Sequence, residues 1–206
     1  MTEPEPATSA TRSAILAAAT PLFASSGIQG TTIRQVASAA HVNSQLIYYY
    51  FGSKVGLFQA VLEGAASRVA ALLAHAAVSD GLPRKRLACL VSEWVKVTLE
   101  EAPALRMLHR AMLEGDRTLA AEIQRYAAGH AAQIGSLIDE GKATGAFRTN
   151  FDTRRAVASL VGMVQYLALA EAILFTSTNL KQNRKERDAM AQHTAELFLT
   201  GLATER

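Results

Sequence analysis

The chain has 206 residues, of which 50% are hydrophobic and 19% are charged, so it can bury a sizeable core and disorder over its whole length is excluded. Its formal net charge is +3, a mild basic excess that does not by itself select nucleic acid as a partner. The single cysteine, Cys89, excludes a disulfide framework within one chain and is typical of proteins in a reducing compartment.

Two segments bear on location. Residues 1–9 contain acids and prolines and lack a basic start followed by an apolar stretch, so we expect a flexible tail and not a signal peptide. Residues 156–175 are largely apolar and about as long as a membrane span, but Gln165 and Glu171 interrupt them. We therefore expect a buried or interface helix, no membrane partner and a cytoplasmic protein.

The dominant sequence period is helical. Apolar residues recur at intervals of three and four, and alternation of β-branched residues is nearly absent, which predicts an all-α fold. Capping residues and breakers divide the pattern into about nine helices. The first ends at Gly27, and the others cover about 33–40, 44–50, 54–77, 84–101, 103–114, 117–142, 152–177 and 181–202.

Two of these helices, 33–40 and 44–50, are shorter than the ~11 residues of an average helix, and a tight turn joins them. This spacing predicts a helix-turn-helix motif over about residues 32–51. Ile33, Val36, Ala37 and Ala40 form the expected inward face of the first short helix, and Val42, Ile47 and Phe51 that of the second. The remaining side chains of the second helix face outward, where such a helix reads DNA bases in the major groove.

The outward residues have the chemistry for DNA binding. Gln45 can pair with adenine, Ser44 can donate or accept, and Leu46 can contact a thymine methyl group. Phosphate contacts are expected from side chains at helix starts and from tyrosine hydroxyls. Thr32 also suits a cap, and the tyrosines also suit a core cluster. For Arg34, Gln35 and Lys54 the alternative is a plain solvated surface. The expected DNA contacts are Thr32, Arg34, Gln35, Ser44, Gln45, Leu46, Tyr48, Tyr49, Tyr50 and Lys54.

Residues 11–60 resemble the DNA-binding domain of the TetR (tetracycline-repressor-like) family. The resemblance implies a DNA-binding domain over residues 10–70 and a helical effector-binding and dimerisation domain over residues 71–206. Members of that family often have small residues where Gln45 and Leu46 stand, and often histidine at Tyr50, so the operator sequence does not carry over. The matching positions are Arg12, Ile15, Leu16, Ala18, Ala19, Leu22, Phe23, Gly27, Thr31, Thr32, Ile33, Val36, Ala37, Ala40, Val42, Ile47, Tyr48, Tyr50, Phe51, Ser53, Lys54 and Leu57.

The helix over 152–177 is apolar nearly all round and must be covered on every side, for which a twofold-related partner is a natural cover. The resemblance implies a four-helix interface, with the expected contacts Leu160, Val164, Leu167, Met190, Thr194, Leu197 and Phe198. Methionine and aromatic residues are the candidates for an effector pocket, although such residues are more often core. They are Trp94, Met107, His109, Met112, Met163, Tyr166 and Phe175.

Taken together, these features predict a homodimeric, sequence-specific transcriptional regulator that binds a palindromic DNA operator. Repression, released by a small apolar or aromatic effector, is the expected mode. No cofactor, no metal site and no enzymatic activity are expected, because the sequence lacks the short motifs of nucleotide, acyl-transfer and zinc chemistry. Two alternatives remain open, a helical adaptor that does not bind DNA and an all-α enzyme.

Overall fold

The computed structural model describes residues 6–78, 81–113, 117–174 and 183–203. Within these ranges every regular element is a helix, so the predicted all-α class is confirmed. The nine helices of this part of the chain are α1 (Pro6–Gly30), α2 (Ile33–Ala39), α3 (Ser44–Phe51), α4 (Lys54–Val78), α5 (Pro83–Glu100), α6 (Ala102–Leu113), α7 (Arg117–Ala143), α8 (Thr153–Leu174) and α9 (Arg184–Leu202).

Most predicted boundaries agree with the observed ones, and two differences stand out. Helix α1 begins at Pro6, so residues 6–9 are helical where a flexible tail was expected, and residues 1–5 lie outside the described part. Gly27, where the first helix was expected to end, breaks the helical conformation of α1 with φ 67° and ψ 179°, and α1 continues beyond it to Gly30. The predicted end of α8 at residue 177 lies outside the described residues.

The chain divides into two compact units. The first runs to Ala65 and adds Pro103–Ala120, and the second comprises Ala66–Ala102 and the chain from Ala121 onward. The first unit therefore includes α6, whereas the predicted DNA-binding domain over residues 10–70 did not. Helix α6 packs with residues up to Ala65, although the chain between them belongs to the second unit. The spacing of apolar residues within a helix does not indicate which distant helix it packs against.

The core of the first unit is mainly aliphatic and contains one aromatic pair. Ile15, Phe23 and Ile47 are fully buried, and the rings of Phe23 and Phe58 meet edge to face at 5.1 Å. The expected inward face of α2 is confirmed at Ile33, Val36 and Ala37, with Ala40 half-buried. This burial holds the two short helices in place, because neither is long enough to be stable alone.

In the second unit, α5 packs along α9 and also against α8. Leu160, Val164, Thr194 and Phe198, which we expected at a dimer interface, are buried among the chain's own residues. They are core residues, and their placement at an interface is corrected. The physical reason is that an apolar helix face looks the same in sequence whether its own chain or a partner covers it.

Among the described residues, Lys54–Leu72 of α4 forms the one segment that is long and apolar enough to cross a membrane. Its first turns supply Leu57, Phe58 and Val61 to the core of the first unit. Core packing accounts for the apolar character of these turns, as in the buried helices of globular units.

Candidate nucleic-acid interface

The start of α2 is held by a reciprocal cap. The backbone N–H of Gln35 donates to Thr32 Oγ1 at 3.2 Å, and the backbone N–H of Thr32 donates to Gln35 Oε1 at 2.8 Å. The Thr32 hydroxyl also donates to Gln35 Oε1, at 2.9 Å. Both residues are exposed, so these two predicted DNA contacts also serve as the cap that begins the helix.

A tight turn leads from α2 to α3. His41 takes the left-handed conformation with φ 54°, and the backbone N–H of Val42 donates to the Ala37 carbonyl at 2.9 Å. Asn43 then caps α3, accepting from the backbone N–H of Gln45 at 2.9 Å. The cap supplies one of the bonds that the first N–H groups of a helix lack, so α3 begins sharply at Ser44.

Helix α3 presents one buried face and one exposed face. Ile47 is fully buried, whereas Gln45 is exposed and Leu46, Tyr48 and Tyr49 are 38%, 52% and 75% exposed. Ser44 and Tyr50 are half-buried, and the Tyr49 and Tyr50 rings meet at 5.2 Å. The outer surface of α3 thus combines a carboxamide, an aliphatic group and phenolic hydroxyls without a carboxylate. Such a surface matches base edges and phosphate oxygens.

Thr31 joins three helices of this unit. Its buried hydroxyl lies within donating distance of two carbonyl oxygens of α1, that of Gly27 at 2.8 Å and that of Leu22 at 3.1 Å. Its carbonyl accepts from the Lys54 ammonium at 3.1 Å, at the first residue of α4. Lys54, a predicted phosphate contact, therefore also holds the start of α4 beside the start of α2.

Helix α6 supports the bend in α1. Arg110 donates from Nη1 to the Ser25 carbonyl at 3.2 Å, just before Gly27. A Cβ on Gly27 would lie 2.8 Å from Arg110 Nε, so the missing side chain leaves room for this guanidinium. Arg34, on the exposed face of α2, is the remaining predicted DNA contact in this unit.

The end of α3 is closely packed against α1 and α4. Gly52 ends the helix with φ 70°, and its N–H donates to the Tyr48 carbonyl at 2.8 Å. The Arg12 guanidinium of α1 lies over the Phe51 ring, with its carbon 5.3 Å from the ring centroid. On the α4 side, a Cβ on Gly56 would collide with the Phe51 carbonyl oxygen, so glycine is what allows α4 to approach.

The candidate effector residues do not form one group. Met107 is buried and His109 half-buried in the first unit, where His109 Nδ1 lies 2.8 Å from the Leu105 carbonyl oxygen. Trp94 is buried in the second unit, and Met163 packs against the same core. Tyr166 is 61% exposed on the outer side of α8, so within one chain it lines no enclosed pocket, and its role at an effector site stays a prediction. The side chains of Met112 and Phe175 lie outside the described residues.

Of the other residues expected at a dimer interface, Leu197 retains the most exposed surface. It is 57% exposed on α9, while Leu167 and Met190 are half-buried against the core of the second unit. On α8, Tyr166 is 61% and Ile173 is 77% exposed. Among the described residues of α8 and α9, the large apolar or aromatic side chains available to a partner are therefore Tyr166, Ile173 and Leu197.

Comparison with known proteins relates both parts of the chain to one family. Residues 15–61 match the model described as "Bacterial regulatory proteins, tetR family", and residues 80–169 match "Tetracyclin repressor-like, C-terminal domain". The transcriptional repressor NicS of Pseudomonas putida is 49% identical over 53 residues, which cover 26% of this chain and 25% of that protein. The regulator BetI of Burkholderia thailandensis is 32% identical over 81 residues, or 39% and 42% of the two chains. The matches thus span less than half of these curated relatives.

Solved structures share the fold over nearly the full chain. The ketosteroid regulator KstR2 of Mycobacterium tuberculosis superposes with a TM-score of 0.79 at 18% identity, covering 94% of this chain and 95% of its own. The regulator FadR of Bacillus subtilis, solved with stearoyl-CoA, gives a TM-score of 0.75 at 16% identity, covering 92% and 98%. At these identities the likeness establishes the fold alone.

The close approach of α4 to the end of α3 makes Gly56 the most constrained glycine of the candidate site. Gly56→Ala should destabilise the protein by about 1–3 kcal/mol, because the colliding atom is a backbone carbonyl that cannot rotate away. Gly64→Ala in the same helix meets nothing within 4 Å and should stabilise by about 0.5–1 kcal/mol through helix propensity. Urea denaturation of both variants measures the difference, and equal stabilities would contradict the packing described.

Proposed function

The chain belongs to the tetR family of bacterial regulatory proteins, and on this premise we propose that it is a homodimeric transcriptional repressor. It binds a palindromic DNA operator through α3 and is released by a small apolar or aromatic effector. The family consists of transcriptional regulators and not of enzymes, which disfavours the all-α enzyme. Because the proposed partner is a DNA operator of a bacterium, we also propose a cytoplasmic location.

One observation carries the proposal, namely the two-sided character of α3. Ile47 is fully buried beneath the helix, so the helix cannot rotate without exposing it, and this burial keeps Gln45, Leu46 and Tyr48 on the outside. A helix of this diameter fits the major groove, where its N-terminal residues reach base edges. We assign base contacts to Ser44, Gln45 and Leu46, and phosphate contacts to Thr32, Arg34, Gln35, Tyr48, Tyr49, Tyr50 and Lys54.

The charge of the first unit supports an anionic partner. Residues 10–60 contain Arg12, Arg34 and Lys54 and no aspartate or glutamate, so their formal charge is 3 − 0 = +3. The absence of carboxylates removes repulsion at every phosphate that this surface meets. Three cations are few, so we expect weak non-specific binding, which dimerisation strengthens by doubling the phosphate contacts.

Base and phosphate contacts respond differently to substitution. The specific probes are genomic DNA fragments that the purified wild-type protein retains. Gln45→Ala should lower the preference for these fragments over mixed-sequence DNA by about 1–3 kcal/mol, because a base contact is lost. Tyr48→Phe should weaken binding to both DNAs by a similar factor, because only a phosphate contact is lost. Gel shifts measure both effects.

The matched control for Gln45→Ala is Gln133→Ala, which removes an exposed carboxamide from α7 in the second unit. It should bind DNA like the wild type. If the wild type and both α3 variants showed the same DNA binding on every fragment at low ionic strength, the proposed repressor would be wrong and the helical adaptor would be the better interpretation.

For the homodimer, we propose that α8 and α9 pack against their twins through the surface around Tyr166 and Leu197. Leu197→Arg should raise the dimer dissociation constant about tenfold or more, because an exposed apolar contact becomes a buried charge. Leu113→Arg is the control, since Leu113 is 89% exposed in the first unit and the change in charge is the same. Sedimentation velocity measures the proportions of monomer and dimer. An unaltered dimer in Leu197→Arg would show that the interface lies elsewhere.

For the effector, we propose a site in the second unit beside Trp94 and Met163. Two structural relatives support apolar probes, since one is named a ketosteroid regulator and the other was solved with stearoyl-CoA. An effector that prefers one conformation should lower DNA affinity about 5–150-fold. Met107 and His109, in the first unit, remain weaker candidates.

Trp94 is the single tryptophan of the chain and is buried, so its fluorescence reports on the second unit alone. Stearoyl-CoA, stearate and a ketosteroid, each titrated against the protein on DNA, should include a compound that both shifts Trp94 emission and releases DNA. The Trp94→Phe protein shows whether the optical signal comes from that residue. Release of DNA with unaltered Trp94 emission would place the effector site away from Trp94.

A further inference from the structure

We infer that Arg12, in the second turn of α1, is an additional contact of this protein to the DNA backbone. The inference rests on the proposed DNA binding and adds a residue that the candidate contacts did not include. Arg12 is exposed, and its guanidinium lies over the ring of Phe51, the last residue of α3. The stacked ring restricts the guanidinium without consuming its hydrogen-bond donors.

The cations around α3 are engaged in different ways. The Lys54 ammonium already donates to the Thr31 carbonyl, which leaves fewer of its protons for a ligand. Within the described part of the chain, Arg12 forms no ion pair with a carboxylate, and residues 10–60 contain none. Among the described residues, therefore, no carboxylate neutralises this charge at the end of α3.

The length of α3 places this charge at the edge of the groove. The helix has eight residues and is thus about 12 Å long at ~1.5 Å per residue. Its first turn reads the bases, and the major groove is about 8.5 Å deep. When that turn lies on the groove floor, the end of an inclined helix of this length reaches the level of the phosphates. A guanidinium stacked on Phe51 is then placed to bind a phosphate oxygen.

A purely structural role makes a different prediction. In that role the aliphatic part of Arg12 covers Phe51 and the charge is incidental. Arg12→Met retains an unbranched stem and removes the charge, whereas Arg12→Lys retains the charge. Salt dependence separates the roles, because each phosphate contact contributes about 0.9 to the slope of log K against log[salt].

The test measures DNA binding of the full chain by fluorescence anisotropy at about 50–200 mM KCl. The probes are a mixed-sequence duplex of about 30 base pairs and a retained genomic fragment of the same length. Arg12→Met should reduce the slope by about 1 per bound subunit on both probes, and Arg12→Lys should retain it. Arg154→Met, which removes an exposed guanidinium from α8, should leave the slope unchanged.

The outcomes are distinguishable. A wild-type slope in Arg12→Met, with or without weaker binding, overturns the inference and leaves the proposed function standing, because the charge would then make no phosphate contact. An equal loss of slope in Arg154→Met also overturns it, since any lost charge would have the same effect. If the wild type binds neither probe, the proposed function fails and the assignment of Arg12 fails with it. Thermal melting of each variant establishes that it is folded.

Discussion

The side chain and carbonyl of Thr31 hold together α1, α2 and α4, the helices that position α3. The buried hydroxyl bonds to α1 at Gly27 and Leu22, and the carbonyl accepts the ammonium of Lys54 at the start of α4. A buried hydroxyl without partners is costly, so this position favours one arrangement of α1, α2 and α4. Because α3 lies between α2 and α4 in the chain, its direction depends on that arrangement.

Helix α3 takes its stability from its cap and from packing against the neighbouring helices, and not from its own length. Eight residues are too few for a stable isolated helix, so the cap of Asn43 and the burial of Ile47 supply what helix propensity cannot. The exposed side chains of Gln45 and Leu46 do not contribute to this stabilisation. They are therefore free to differ from the small residues common in the family, and specificity can change while the docking geometry is retained.

In the second unit the apolar surface of α8 is covered largely from within. Leu160 and Val164 lie in a core with α5 and α9, and Tyr166 remains on the outside. This division matters for the proposed dimer, because a partner can bury only what the chain has left exposed. It matters equally for the effector, since a site beside Trp94 has to open within a packed core, where ligand binding and conformation are linked.

The sequence by itself determined the helical class, the positions of the two short helices, the interruption of the first helix at Gly27 and the exposed character of Gln45 and Tyr48. These follow from short-range physics, namely helical periodicity, capping and glycine conformation, which neighbouring residues express directly. Only the tertiary structure decided that α6 belongs with the first unit, that Leu160 and Phe198 are core residues, that Tyr166 is exposed and that Arg12 stacks on Phe51. Each of these depends on contacts between residues far apart in the chain, and an apolar or charged side chain has the same local pattern whichever neighbour it meets.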